Sequence, residues 1–249
     1  MNLPATTAAG RASQSAYLMQ DLERMAKAEN YLAWQSRLVT PEIGRRVVEV
    51  GCGLGNFTSA LFDRDAVVAL DVDPYCIERL QQRYPGRANL HTFVLDAMNP
   101  DDAAFSGVAA FQPDSCVCLN ALEHIEDDYR ALARMRSLVV PGGVVVLLVP
   151  AFQALYGPTD KNLGHFRRYS RLSIRDLASA AGLRMRKLHY VNSIGFFGWW
   201  VNARLLRHEA QSAAQIAIFD RLIVPALSRL EALAPPPFGQ SLFVVLEKP

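Results

Sequence analysis

The chain has 249 residues, 51% of them hydrophobic, and a formal net charge of +2. That length holds one large α/β domain or two small ones, and that apolar fraction is enough for a substantial core. A charge this close to balance, without a run of Lys and Arg able to track phosphates, excludes a strongly basic surface, and no nucleic-acid partner is expected. No basic-then-apolar leader stands at the N-terminus, and no stretch reaches the roughly 18 uninterrupted apolar residues of a spanning helix. The four cysteines, at 52, 76, 116 and 118, read as buried small hydrophobes, with Cys116 and Cys118 on one face of a strand. A reducing cytoplasm is the expected location.

The first forty residues read as helical, with Tyr17, Leu18, Leu22, Met25, Tyr31, Leu32 and Trp34 set among polar positions. They are the expected lid, residues 1–40, although Tyr31 and Trp34 fit core packing as well. A core of residues 45–150 follows. It opens on a buried strand through Val47, Val48, Glu49 and Val50, then Gly51, Cys52, Gly53, Leu54, Gly55 and Asn56. Alternating glycines let the backbone turn tightly and approach a ligand without a Cβ in the way. A helix over 57–63 is expected next, its free N–H groups facing the same space. A dinucleotide fingerprint needs its third glycine where Asn56 stands, so the pattern is G-x-G-x-G. An acid at position 49 suits a cationic or amino-bearing ligand better than a pyrophosphate.

Strand and helix then alternate. Ala66 to Leu70 is a second strand ending at Asp71, Asp73-Pro74 to Tyr84 a helix with an Asp cap, and Asn89 to Leu95 a third strand ending at Asp96. Ser115 to Leu119 is a fourth strand, Asp127 to Val139 a helix, and Val144 to Val149 a fifth strand. The order predicts a doubly wound α/β sheet. Residues 151–249 depart from this rhythm: a loop, a helix over 173–181, a strand over 183–190, a helical insertion of about fifty residues and a last strand over 240–247. No repeat or long linker interrupts the chain, so residues 1–249 are expected to form one domain.

In an open parallel sheet, ligands sit beyond the carboxyl ends of the strands, near the point where strand order reverses. Those ends carry Glu49, Asp71, Asp96 and Asn120. Asp71, twenty positions after Gly51, suits both hydroxyls of a ribose, and Asp96 suits the exocyclic amine of adenine. With the glycine loop, these residues resemble the class I S-adenosylmethionine-dependent methyltransferases over residues 47–149. The resemblance implies a Rossmann-like, seven-stranded sheet of order 3-2-1-4-5-7-6 with its last strand antiparallel. It also implies S-adenosylmethionine as cofactor and S-adenosylhomocysteine as product. Under it, the loop from Glu49 through Gly51, Cys52, Gly53 and Gly55 meets the methionine part. Val72 and Ala97 flank adenine, Leu119 offers a backbone oxygen, and Asn120 lines the methyl-transfer cavity.

The segment Asn120-Ala-Leu-Glu-His124-Ile lacks the N-P-P-Y pattern of base-amino methyltransferases and is similar to the "LEHI" segment of bacterial small-molecule enzymes. His124 is a candidate to face the substrate, the alternative being a brace for the next helix. No acid set resembles the magnesium site of catechol-type enzymes, and no metal is expected. After the fifth strand, the loop through Tyr156, Asp160, Gly164, His165, Phe166, Arg167, Arg168 and Tyr169 resembles the "LGHYRRY" pattern of a broad bacterial methyltransferase group. Tyr156, His165 and Tyr169 are the catalytic candidates, with His165 as general base. Arg167 and Arg168 suit a carboxylate or phosphate on the acceptor, unless either pairs with Asp160 or Glu126 to pin the loop. Trp199, in the cluster from Phe196 to Trp200, suits an apolar acceptor, a homodimer face or a membrane surface, against plain packing of the insertion. The expected reaction is methyl transfer to oxygen, nitrogen or carbon of a small, partly apolar or lipid-like acceptor. The alternatives are a cofactor-binding partner without its own transfer, and a protein or RNA methyltransferase.

Overall fold

The computed structural model describes residues 8–96, 103–202 and 212–249. Two helices, α1 (Ala8–Met25) and α2 (Glu29–Val39), precede β1 (Arg46–Val50). The strand–helix alternation continues through β2 (Ala66–Asp71), α3 (Pro74–Arg83), β3 (Leu90–Val94), α4 (Ala103–Ala109), β4 (Ser115–Leu119), α5 (Asp128–Leu138) and β5 (Val144–Pro150). Then come α6 (Pro158–Leu163), α7 (Arg171–Ala180), β6 (Arg184–Val191), α8 (Ser193–Trp200), α9 (Ala213–Ile218), α10 (Val224–Leu233) and β7 (Ser241–Glu247). The strands form one sheet of order β3-β2-β1-β4-β5-β7-β6. β1 to β5 run parallel, and β7 pairs antiparallel with both β5 and β6. This is the expected fold, with its reversal between β1 and β4.

Period-two alternation builds a core on each face of the sheet. Val48, Val50, Cys116, Cys118, Val145, Leu147, Val149, Leu242, Val244 and Leu246 point to the side covered by α5 and α7. Val47, Val117, Val146, Leu148, Phe243 and Val245 point to the side covered by α2 and α10, where Trp34 and Val224 are buried. Tyr31 packs edge-on against Trp34 at 5.6 Å and joins that core, so both belong to packing. Cys116 and Cys118 are free, fully buried and on one face, as expected.

The helix starts show why local sequence decides some elements and distant chain decides others. α3 begins as expected, with Pro74 in its first turn and the Asp73 carboxylate accepting from the Tyr75 N–H at 2.9 Å. α2 begins after Ala28, which has no capping group. Asp220 supplies one from the insertion, accepting from the Tyr31 N–H at 2.8 Å and the Asn30 N–H at 3.4 Å. The helix expected over 57–63 is a single 3₁₀ turn, Thr58–Leu61. The residue placed to cap it, Asn56, is spent elsewhere: its amide donates to the Leu22 oxygen at 2.9 Å and its oxygen accepts from Arg83 at 3.2 Å. The Thr58 hydroxyl turns inward to Glu49. The helix N-terminus expected beside the glycine loop is therefore absent, and the loop's backbone with its neighbouring acids shapes the space.

Candidate active site

The glycine loop is held by the end of β2. The Gly51 and Cys52 N–H groups both donate to the Leu70 oxygen at 2.9 Å, and the Gly53 N–H donates to Asp71 Oδ2 at 2.8 Å. Asp71 Oδ1 accepts from the Asp73 N–H at 3.0 Å, so one carboxylate ties the loop to the strand end while both oxygens keep lone pairs for further donors. Gly51 has φ +74°, and a Cβ there would stand 2.6 Å from the Ala121 Cβ, so only glycine fits against the turn after β4. The Cys52 side chain packs inward with Ala69, Ile77 and Leu80, leaving its backbone in the loop.

Glu49 is 4% exposed, and its Oε2 accepts from the Thr58 hydroxyl at 2.7 Å. Burial pushes its carboxyl up to about 7, with the Thr58 bond opposing and the Asp71 charge adding. Burial likewise raises Asp71, against the amides of Asp73 and Gly53 that favour its charged form. Above the loop lies a cleft of about 240 Å³ lined by Leu18, Met19, Leu22, Gly53, Asp71, Val72, Asp73, Cys76, Leu163 and Gly164. Its roof is the apolar side of α1 and the end of α6. Val72 is 64% exposed and Asp96 is exposed just past the end of β3, both at the strand-end edge of the sheet. Leu119 is half-buried, Asn120 takes φ +51° as its N–H donates to the Leu148 oxygen at 2.7 Å, and Ala97 lies outside the described residues. A larger hollow of about 440 Å³ opens between Asp128, Arg167 and Asp176 and includes none of the glycine-loop residues.

The loop after β5 is pinned from within. Asp160, fully buried, accepts at Oδ1 from Arg168 Nε at 2.8 Å and pairs there with His165 Nδ1 at 2.9 Å, while its Oδ2 accepts from the Gly157 N–H. Burial alone would raise this carboxyl, but the His165 hydrogen bond and the Arg168 charge hold it below the usual carboxylate range. Arg168 also donates to the Ala151 oxygen and lies over the Trp199 ring at 4.6 Å, so arginine and tryptophan are internal partners. Arg167 pairs with Asp128 at 2.7 Å and donates to the Glu126 backbone oxygen. The pinning alternative thus describes both arginines, Asp160 taking Arg168 as expected and Asp128 standing where Glu126 was expected to offer its carboxylate.

Tyr169 is 2% exposed and its hydroxyl donates to Asp128 at 3.1 Å, which makes it a core strut and corrects the expectation of a catalytic hydroxyl. The Tyr156 hydroxyl donates to the His165 backbone oxygen at 2.6 Å and so fixes the loop.

His165 is brought to Glu123 and His124, which follow β4. His165 Nε2 stands 3.9 Å from Glu123 Oε1, and the two imidazole rings meet edge to face at 4.6 Å. The Phe166 N–H donates to the Glu123 backbone oxygen at 2.8 Å, locking the two segments together. Burial, helped by the facing His165, pushes His124 down to about 3, and burial pushes Glu123 up to about 7. Sequence reading treated Glu123 only as part of a motif. Its signal was the acid itself, the single charged residue between Leu122 and His124, on a turn that the chain brings against a histidine forty-two positions away.

A family model described as a methyltransferase domain matches residues 14–188. An uncharacterized methyltransferase of Mycobacterium tuberculosis (strain ATCC 25618 / H37Rv) is 35% identical over 113 residues, covering 43% of this chain and 53% of that protein. The chain therefore spans about half the length of the first curated relatives it matches. A second uncharacterized methyltransferase of that strain is 25% identical over 192 residues, covering 76% of this chain and 70% of that protein. Among solved structures, the N-methyltransferase NodS from Bradyrhizobium japonicum WM9, in complex with S-adenosylhomocysteine, aligns with a TM-score of 0.56 at 18% identity, covering 90% of this chain and 88% of that one. At that identity the likeness bears on the fold.

Proposed function

Because this chain belongs to the methyltransferase-domain family and shares its fold with an N-methyltransferase solved with S-adenosylhomocysteine, we propose that it moves the methyl group of S-adenosylmethionine to a small, partly apolar or lipid-like acceptor. The observation that carries the reading is the cleft in which Gly53 and Asp71 lie under the apolar side of α1 and beside Gly164. In this reading Asp71 holds the ribose hydroxyls, Glu49 the ammonium of the methionine part, and Asp96, Val72 and Leu119 the adenine, with Asn120 toward the methyl group. The sulfonium supplies an activated methyl, so the protein needs no nucleophile of its own. It has to align the acceptor behind the methyl in line and keep water out, and α1 and α6 are placed to do so.

Calorimetry with S-adenosylmethionine tests the donor half. Asp71→Ala is expected to weaken binding by about ten-fold, the loss of a hydrogen-bonded charged group. Unchanged affinity in a folded variant would sink the ribose assignment. Radiolabelled methyl transfer into lysate fractions tests the acceptor half: label in small-molecule or lipid extracts supports it, and label confined to protein or RNA overturns it. Tight cofactor binding with no label in any fraction would leave a cofactor-binding protein without transfer.

A further inference from the structure

Glu123 carries an oxygen that nothing in the fold explains. The residue is 1% exposed, and its Oε2 is buried without a hydrogen-bond partner, an arrangement that proteins rarely tolerate without a bound group to satisfy it. It does not stand alone. Glu123, His124 and His165 each direct one ligand atom into the same space, with no two of those atoms more than 4.8 Å apart. Donor atoms around one tetrahedral ion stand about 3.4 Å apart, given bonds of about 2.1 Å, so the 3.9 Å from Glu123 Oε1 to His165 Nε2 is too long for a hydrogen bond and close to the spacing of two ligands.

The surroundings orient these groups as a metal centre requires. His165 Nδ1 is engaged by the Asp160 carboxylate at 2.9 Å, which selects the tautomer with a free lone pair on Nε2. Asp160 is itself fixed by Arg168. His124 projects its ring against the His165 ring, edge to face at 4.6 Å between centroids. A histidine held by a buried carboxylate has the outer support that metal-binding imidazoles use. The Phe166 to Glu123 backbone bond keeps the two ligand-bearing segments in register.

We propose that Glu123, His124 and His165 bind one divalent first-row transition-metal ion. Two imidazoles and one carboxylate suit zinc, iron, cobalt or manganese, whereas magnesium favours an all-oxygen set. Three protein ligands leave coordination positions open. Leu163 and Gly164, next to His165, line the cofactor cleft, and Ala121 abuts Gly51, so the ion stands at the edge of that cleft. There its open positions suit an oxygen-bearing acceptor, a role that rests on the methyl-transfer reading; ion binding itself does not. A coordinated Nε2 is not free to accept a proton, so this site replaces the general-base role that the sequence suggests for His165.

The test uses the full-length chain, stripped with chelator and dialysed, then titrated with Co²⁺ and followed by its visible absorption, with Zn²⁺ competition and a Mg²⁺ arm. The wild type is expected to take up one equivalent of Co²⁺ with ligand-field bands, to release it to Zn²⁺, and to gain thermal stability with Zn²⁺ that rises with the logarithm of free ion once the site is filled. Glu123→Gln and His124→Gln are expected to weaken Co²⁺ binding by at least about 100-fold, and Asp160→Asn by about 10-fold to 100-fold through loss of the His165 orientation. Circular dichroism reports folding, and the zinc-dependent thermal shift of the wild type stands whether or not a variant folds. Absence of stoichiometric Co²⁺ and Zn²⁺ binding to the folded wild type, or binding unchanged in folded Glu123→Gln and His124→Gln, would overturn the site. Equal competition by Mg²⁺ would overturn the transition-metal assignment. S-adenosylmethionine calorimetry on the same stripped sample separates the two readings, since an intact methyl-donor site with no metal uptake leaves the donor assignment standing.

Discussion

Glu49 is a buried acid whose charge state decides two properties at once. Its carboxyl rises from 4.5 to about 7 on folding. The folded chain therefore binds more protons than the unfolded chain between those values, and stability falls as pH rises through that window. The shift corresponds to at most about 3 kcal/mol lost by pH 8. A bound ammonium would reverse the preference, because it favours the ionised carboxylate. S-adenosylmethionine affinity should therefore weaken on going from pH 8 to pH 6, approaching about ten-fold per pH unit well below 7. Glu49→Gln keeps an acceptor for Thr58 and removes the charge. In the unliganded protein it should shrink the loss of thermal stability between pH 5 and pH 8 toward the part contributed by Glu123, whose carboxyl burial also pushes up to about 7, and in calorimetry it should bind the cofactor more weakly with less pH dependence. An unliganded variant whose stability falls across that range as steeply as the wild type would show that Glu49 is not the titrating group.

Elements built from their own residues are legible in the sequence, and those built across distance are not. The buried parallel strands read as apolar runs, and α3 carries its own cap in Asp73, so their places were evident. The 3₁₀ turn at Thr58–Leu61 was misread because the Asn56 side chain goes to Leu22 and Arg83, partners far off in the chain. The α2 cap came from Asp220 in the insertion, for the same reason invisible locally. In the site, the glycine loop and Asp71 sit together as their spacing implied, whereas Glu123 gains its meaning only from His165 across the fold. The loop after β5 shows the consequence most directly, since Arg168, expected to face an acceptor, is a 5% exposed partner of Asp160. Removing one member of a buried ion pair strands the other, at a cost of about 3–5 kcal/mol. Because Asp160 keeps His165 and the Gly157 N–H as partners, Arg168→Met should lose no more than that in denaturant unfolding, and Arg168→Met combined with Asp160→Leu should recover part of it. A single variant within about 0.5 kcal/mol of wild type would mean that the pair does not hold the loop.

Across the whole molecule, packing grades from the centre of the sheet toward the roof of the cleft. Every residue of β5 is buried, and β7 is buried through Leu246, whereas none of the side chains described in α1, residues 16–25, reaches full burial. α1 rests on the cleft through Leu18, Met19 and Leu22, with the Leu22 side chain 3.2 Å from where a Cβ at Gly53 would stand, and with one bond from Asn56 to its backbone. An element whose described side chains are only partly buried opens at a lower free energy than the sheet it covers. If the cofactor fills the space beneath, it adds contacts to α1 and to the end of α6 that exist only in the bound state, and ligand free energy then stabilises the roof. Hydrogen–deuterium exchange should therefore show fast exchange over residues 16–25 in the free chain, slowed by about ten-fold or more with saturating S-adenosylhomocysteine. Over the same time, β5 and β7 should exchange only through global opening with or without ligand. If ligand instead slowed only the sheet and left residues 16–25 unchanged, α1 would be a passive flank and water exclusion would have to come from the loop after β5 alone.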